Sequence, residues 1–196
     1  YHIATVTVDG GDVPASVISG EYIFTNVTAT HNITATYDLN TYEITVAQTA
    51  HGVISPSTTL VNHGSNQTFT ITPDAGYHIA TVTVDGGDVP ASVISGEYIF
   101  TNVTATHNIT ATYDLNTYEI TVAQTAHGVI SPSTTLVNHG SNQTFTITPD
   151  AGYHIATVTV DGGDVPASVI SGEYIFTNVT ATHNITATYD LNTYEI

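Results

Sequence analysis

The sequence contains no lysine, arginine, cysteine, methionine or tryptophan among its 196 residues. Its 17 acidic side chains give a formal net charge of −17, and no Lys or Arg can pair with them. Nucleic acids and anionic membranes attract proteins mainly through Lys and Arg. The apolar runs are also shorter than the roughly 18–20 residues that span a bilayer. We therefore predict no nucleic-acid partner and no membrane insertion within this segment.

The absence of cysteine excludes disulfides and thiolate chemistry, and it leaves the redox compartment undecided. Neither a Gly-x-Ser-x-Gly nucleophile elbow nor a His-Glu-x-x-His zinc motif occurs. The sequence thus predicts a protein that is not an enzyme and has no cofactor. Without Lys and Arg, trypsin-like proteases find no cleavage site, which suits an extracellular or cell-surface location. The absence of Lys and Arg would also result if the composition of one copy had drifted by chance and duplication had then spread it.

Repetition is the strongest signal in the sequence. The segment YHIATVTVDGGDVPASVISGEYIF begins at Tyr1, again at Tyr77 and again at Tyr153, which gives a period of 76 residues. Solenoid units run to about 20–45 residues, so a unit of this size predicts separate small domains in a beads-on-a-string array. We expect the segment to be an excerpt from a longer array. The predicted units are a C-terminal half copy 1–40, full copies Thr41–Asn116 and Thr117–Asn192, and the start of another copy, Thr193–Ile196.

Alternation of apolar and polar residues predicts an all-β fold. It places Ile44 inward on one strand and Phe69 and Ile71 inward on another. The phase of this alternation changes within Tyr77–Val84, which predicts a β-bulge or a short turn near Ala80 and Thr81. Segments Glu97–Val103 and His107–Tyr113 are predicted to form a hairpin. Short Thr-rich strands separated by Gly, Pro, Asn and Asp turns favour small β-sandwich-like or β-grasp-like domains with tight junctions.

Several motifs in one copy resemble a known family. They are Phe69-Thr70-Ile71-Thr72-Pro73, Gly76-Tyr77, Val82-Thr83-Val84-Asp85-Gly86 and Phe100-Thr101-Asn102-Val103-Thr104. In this order they resemble the divergent internalin-B-type repeat of bacterial and archaeal surface proteins. The resemblance covers the whole unit. It implies tandem arrays on large secreted or wall-associated proteins, a compact β-grasp-like sheet and no catalytic residues.

The turn Asp85-Gly86-Gly87-Asp88 places two carboxylates close together, as a Ca²⁺ site would require. Because Ca²⁺ takes six to eight oxygen ligands, two aspartates supply too few, and a solvated turn is the favoured interpretation. The alternative is a site shared with Asp114 or with a neighbouring unit. The ten histidines show no metal-motif spacing, and we interpret them as polar residues of turns and surfaces. The weak calcium candidates are Asp85, Asp88, Asp161 and Asp164.

Asn-x-Thr sequons recur in every copy and are acceptors for N-glycans in a competent secretory host. Thr is abundant enough that some of these matches arise by chance. The candidate acceptors are Asn26, Asn32, Asn66, Asn102, Asn108, Asn142, Asn178 and Asn184.

These features favour a structural repeat of an extracellular filament or stalk, with neighbouring identical repeats as partners through homotypic self-association. Identical domains exchange equivalent strands at little cost, so Thr117–Gln124 either stays in its own unit or completes the sheet of another. The alternative function is an adhesin module that binds a glycan or surface ligand with avidity from repetition. Such a module would display Tyr22, Tyr98 or Tyr174 in a concave patch, whereas a spacer would bury them.

Overall fold

The computed structural model describes residues 1–13, 20–90, 96–165 and 172–194, and these form strands and turns without a helix. The all-β prediction is confirmed. The described part of the chain accordingly offers no helix long and apolar enough to cross a membrane. Of the predicted start of another copy, residues 195 and 196 lie outside the described residues.

Within the described residues each full copy forms the same eight strands. The half copy forms β1 (His2–Val8), β2 (Gly11–Asp12) and β3 (Ile33–Asp38). Copy 41–116 forms β4 (Thr41–Ala47), β5 (Gly52–Ser55), β6 (Thr59–Asn62), β7 (Gln67–Pro73), β8 (Tyr77–Val84), β9 (Gly87–Asp88), β10 (Glu97–Phe100) and β11 (His107–Leu115). Copy 117–192 forms β12 (Thr117–Ala123), β13 (Gly128–Ser131), β14 (Thr135–Asn138), β15 (Gln143–Pro149), β16 (Tyr153–Val160), β17 (Gly163–Asp164), β18 (Glu173–Phe176) and β19 (His183–Leu191).

Two sheets form each full copy. In copy 117–192 a five-stranded sheet has the order β14-β12-β19-β16-β17, and a three-stranded sheet has the order β13-β15-β18. Copy 41–116 repeats both, as β6-β4-β11-β8-β9 and β10-β7-β5. The first and last strands of a copy are neighbours and run parallel, so that Ile120 lies opposite His183 and Ala123 opposite Thr186. The two ends of a copy are therefore hydrogen-bonded to each other.

The hydrophobic core lies between the two sheets. Phe145 and Ile147 of the small sheet meet Ile120 and Ile185 of the large sheet, and Phe145, Ile120 and Ile185 are fully buried. The inward positions predicted from alternation are confirmed, because the side chains on strands such as Gln143–Pro149 alternate between buried and exposed. Copy 117–192 is thus sandwich-like, with a core between its two sheets.

The predicted β-bulge is confirmed in the other two copies of its strand. The register between β16 and β19 shifts between Ile155 and Thr157, and that between β1 and β3 shifts between Ile3 and Thr5. The extra residue lets side chains on both sides of it face the core despite their opposite parity.

The predicted hairpin of Glu97–Val103 with His107–Tyr113 is wrong. β10 pairs with β7 in the small sheet, whereas β11 pairs with β4 in the large sheet. The connection between them crosses from one sheet to the other and is anchored by Val103, whose N–H donates to Ser65 O and whose carbonyl accepts from Gly64 N–H. Alternation identifies the buried face of a strand but not its partner, which is why the sequence pattern misled.

The described residues cluster into two compact units. The first consists of Tyr1–Thr72 and Ile79–Thr112, and the second of Pro73–His78 and Tyr113–Ile196. The segment Pro73–His78 thus belongs to the second unit although its sequence belongs to copy 41–116. Only Asn116 separates β11 from β12.

Candidate functional site

Each copy contains an Asp–His corner, formed in copy 41–116 by Asp85, His107 and Asn108. Asp85 has a positive φ of 51° and begins the turn after β8. One carboxylate oxygen lies 2.6 Å from His107 Nδ1, and the other accepts the Asn108 N–H at 2.8 Å. Because an ionised carboxylate only accepts hydrogen bonds, the Nδ1 atom carries the proton. The corner ties the turn to the first residues of β11.

The same corner occurs in the other copies. His183 Nδ1 lies 2.7 Å from Asp161 Oδ2, and His31 Nδ1 lies 2.7 Å from Asp9 Oδ2. Spacing did not reveal these pairs, because 22 residues separate the two partners and the topology alone brings them together. The interpretation of these histidines as polar surface residues therefore did not identify the aspartate that each of them contacts.

The corner lowers the pKa of its carboxylate. For Asp85 the hydrogen bond from His107 is the main cause, burial opposes it, and the Asn108 N–H adds to the lowering. For Asp161 burial raises the pKa, and the hydrogen bonds from His183 and Asn184 more than offset it. A carboxylate with a lowered pKa stabilises the fold above its ordinary value of 3.8, and this contribution is lost as the pH falls through the lowered pKa.

We expect the double variant Asp85→Asn with Asp161→Asn to be less stable than the parent at pH 7 and to lose less stability on acidification. The expected loss at pH 7 is about 0.5 kcal/mol per corner, since both carboxylates are largely exposed and solvent screens them. Urea denaturation at pH 7, 4 and 2.5 measures the difference. Asp88→Asn with Asp164→Asn removes the same charge beside the corner and serves as the control. Equal acid sensitivity of the two double variants would contradict the expectation.

The calcium candidates do not converge on a multidentate site. Both oxygens of Asp85 accept protein hydrogen bonds, and Asp88 Oδ1 lies 3.3 Å from the Thr83 hydroxyl. Across the described ranges no three His, Cys, Asp or Glu side chains are grouped as metal ligands. Asp161 and Asp164 repeat this arrangement in the second copy. The calcium prediction therefore gains no third acidic ligand from the fold.

All eight sequon asparagines are exposed. Asn102 has a positive φ of 49°, and its N–H donates to Asn66 Oδ1 at 2.8 Å, so two sequons lie side by side at the crossing between the sheets. Asn178 and Asn142 form the same pair. Asn102 and Asn108 would flank the tip of the predicted hairpin, but β10 and β11 do not pair, and Asn108 lies within β11. Glycosylation of these residues stays a prediction.

The sequence matches the divergent InlB B-repeat domain over residues 42–117 and again over residues 118–193. The chain belongs to this family. The two matches confirm the predicted tandem repeat and the resemblance on which it rested. B-repeats of this family occur in bacterial surface proteins and are not typically enzymatic. Neither a curated protein nor a solved structure matches the chain.

The outer face of the large sheet in a B-repeat is covered by threonines that bond to one another and to the backbone. In copy 117–192 the hydroxyls of Thr157 and Thr188 are 2.6 Å apart, and Thr186 donates to Ala123 O at 3.0 Å. Cross-strand hydroxyl pairs of this kind stabilise a sheet by about 0.2–1 kcal/mol each. The B-repeat thus builds a polar surface from neutral groups.

The tyrosines that distinguish a binding module from a spacer lie mostly against the core. Tyr98 and Tyr174 are half-buried, and each ring contacts a core phenylalanine edge-on at 4.9 Å. Tyr22, in the half copy, is 38% exposed. In the full B-repeats these rings therefore contribute to packing.

Proposed function

We propose that the B-repeats of this chain are load-bearing spacers in an extracellular stalk. The observation that carries the proposal is the parallel pairing of the first and last strands of each copy. The chain enters copy 117–192 at the start of β12 and leaves it at the end of β19. Tension between these points pulls the two strands in opposite directions along their shared ladder. The evenly spaced bonds of a parallel ladder are then loaded together in shear rather than broken one at a time.

Two further observations support a spacer over an adhesin. Tyr98 and Tyr174 are half-buried, and their rings pack edge-on against core phenylalanines. A single residue, Asn116, separates the last strand of one copy from the first strand of the next, so there is no flexible linker to extend first under load.

Strand exchange between molecules stays a prediction. In this structure β12 lies between β14 and β19 of its own copy. Homotypic association between chains likewise stays a prediction. The load-bearing role requires neither, because every bond that it uses lies within one copy.

Single-molecule stretching tests the load-bearing role. The chain has no cysteine, so introduced thiols define the points of attachment. We expect handles at Thr117→Cys and Thr193→Cys to load the parallel pair in shear and give a high rupture force. Each rupture should lengthen the tether by roughly 250 Å minus the folded distance between the two attachment points, because each extended residue spans about 3.3–3.6 Å.

The matched control attaches handles at Thr117→Cys and Asn184→Cys. Both positions lie near the same end of the parallel pair, so the load peels the strands apart bond by bond. We expect a rupture force several times lower in this geometry. Equal forces in the two geometries would refute the load-bearing proposal.

A further inference from the structure

Gly76 and Gly152 occupy equivalent positions in the two full copies but have different surroundings. Both adopt the left-handed backbone region, with φ of +85° and +87°. A Cβ built on Gly76 would lie 2.3 Å from His139 Cδ2 and 2.8 Å from His139 Cγ, whereas one built on Gly152 meets nothing within 4 Å. Gly76 and His139 both lie in the second compact unit. An imidazole ring therefore packs directly against the bare α-carbon of Gly76.

Asn116 holds the two sides of this contact together. Its N–H donates to Gly76 O, its side-chain oxygen lies 2.8 Å from His78 Nδ1, and its carbonyl accepts the His139 N–H at 2.8 Å. One asparagine thus fixes both the backbone at Gly76, called the glycine corner from here on, and the turn that carries His139.

The second copy forms the equivalent glycine corner, at Gly152. The Asn192 N–H donates to Gly152 O at 2.8 Å, and the Asn192 side-chain oxygen lies 3.1 Å from His154 Nδ1. Beside it an open cavity of about 880 Å³ is lined by residues that include Tyr153, His154, Ile155 and Asn192.

We propose that the corner at Gly152 is an acceptor surface for the Asn-His-Gly turn of a further copy of this repeat, joined in the same chain. In residues 138–140 this turn carries His139, which already fills the identical corner at Gly76. Attachment through the chain supplies the high effective concentration that a contact of one turn needs. The docking is independent of the load-bearing role, because it involves none of the bonds between β12 and β19.

Substituting the two glycines in the existing chain tests the contact with a built-in control. Gly76→Ala and Gly152→Ala carry the same penalty for a side chain at positive φ, but only the first places a methyl group against the ring. We expect Gly76→Ala to reduce the folding equilibrium constant of the second compact unit roughly tenfold more than Gly152→Ala does, or by about 1.4 kcal/mol. Urea denaturation of the full chain measures both. Equal effects would overturn the proposal.

The variant His139→Ala completes a double-mutant cycle and remains informative if Gly76→Ala does not fold. We expect the added cost of Gly76→Ala to fall to that of Gly152→Ala once the ring is removed. The cost of Gly152→Ala should be the same with and without His139. Additivity of Gly76→Ala with His139→Ala would show that the ring does not pack on the corner and would overturn the proposal.

A lengthened chain tests the acceptor itself. When a further copy of residues 117–192 follows Asn192, we expect Gly152→Ala to acquire the larger cost that Gly76→Ala has in the existing chain. An unchanged cost of Gly152→Ala would show that this corner accepts no further copy. Rupture forces in the stretching experiment do not enter this readout, so either proposal can fail without the other.

Discussion

Replacing Phe145 by alanine is expected to unfold copy 117–192 under conditions in which copy 41–116 stays folded. Phe145 is fully buried, and its ring meets that of Phe176 edge-on at a centroid distance of 5.7 Å. Removing a buried phenylalanine costs about 4 kcal/mol, from lost burial and from the cavity left behind. A copy of this size has a total stability of roughly 4–11 kcal/mol. The single substitution therefore removes a large part of it.

Urea denaturation followed by circular dichroism should show two transitions for Phe145→Ala, the later one from copy 41–116, whose Phe69 is intact. Ile175→Ala is the matched control, because Ile175 lies on the neighbouring strand β18 with half of its side chain exposed. We expect its effect to stay within about 0.5 kcal/mol, as for other surface positions. If both substitutions shift the midpoint equally, the assignment of the core is wrong.

Replacing Gly128 by alanine is expected to destabilise the same copy by about 3 kcal/mol, at the upper end of the usual cost of overpacking. A Cβ at Gly128 would lie 2.2 Å from Tyr189 Cζ and 2.4 Å from Cε1. Tyr189 is itself buried, and its hydroxyl finds no hydrogen-bond partner among the described residues. The added methyl group would overlap the ring, so the ring must move from its position in the core.

Gly163→Ala is the control for this prediction. Gly163 also lies in a strand, but its added Cβ would make an ordinary contact of 3.6 Å with Val160 O. Thermal denaturation of the two variants should differ clearly, with Gly163→Ala close to the parent. The burial that positions the Tyr189 ring, together with the charge of Asp150, also raises the pKa of its hydroxyl. In Gly128→Ala this pKa should return toward 10.0 if the ring becomes exposed. A variant as stable as the parent would mean that the ring and the glycine are not in contact.

Local alternation was enough to predict the longer strands and their inward faces, and its change of phase indicated the bulge. Each depends on the contrast between neighbouring residues, as in Gln67–Pro73, where Phe69 and Ile71 are buried and the threonines between them are exposed. The repeat period and the family motifs set the number of copies. These features depend on residues that are close together in the sequence, so a single sequence reveals them.

Pairings between distant residues could not be predicted in this way. Nothing near Glu97 states that its strand joins β7 rather than β11, since both segments have the same alternation. The hydrogen bond between Asp85 and His107 and the packing of Tyr189 on Gly128 depend on which strands become neighbours. The packing of Gly76 on His139 depends further on where one copy ends and another begins. Such contacts follow from topology, and topology follows from the whole core.

The neighbouring first and last strands also bear on how a gene for such a protein can change. The first and last strands pair inside each copy, so recombination that gains or loses a whole number of copies leaves this strand pairing unchanged in those that remain. Each copy behaves as an exchangeable cassette. Because each copy begins and ends at the same place in the fold, the number of copies can change in evolution while each copy keeps its strand pairing.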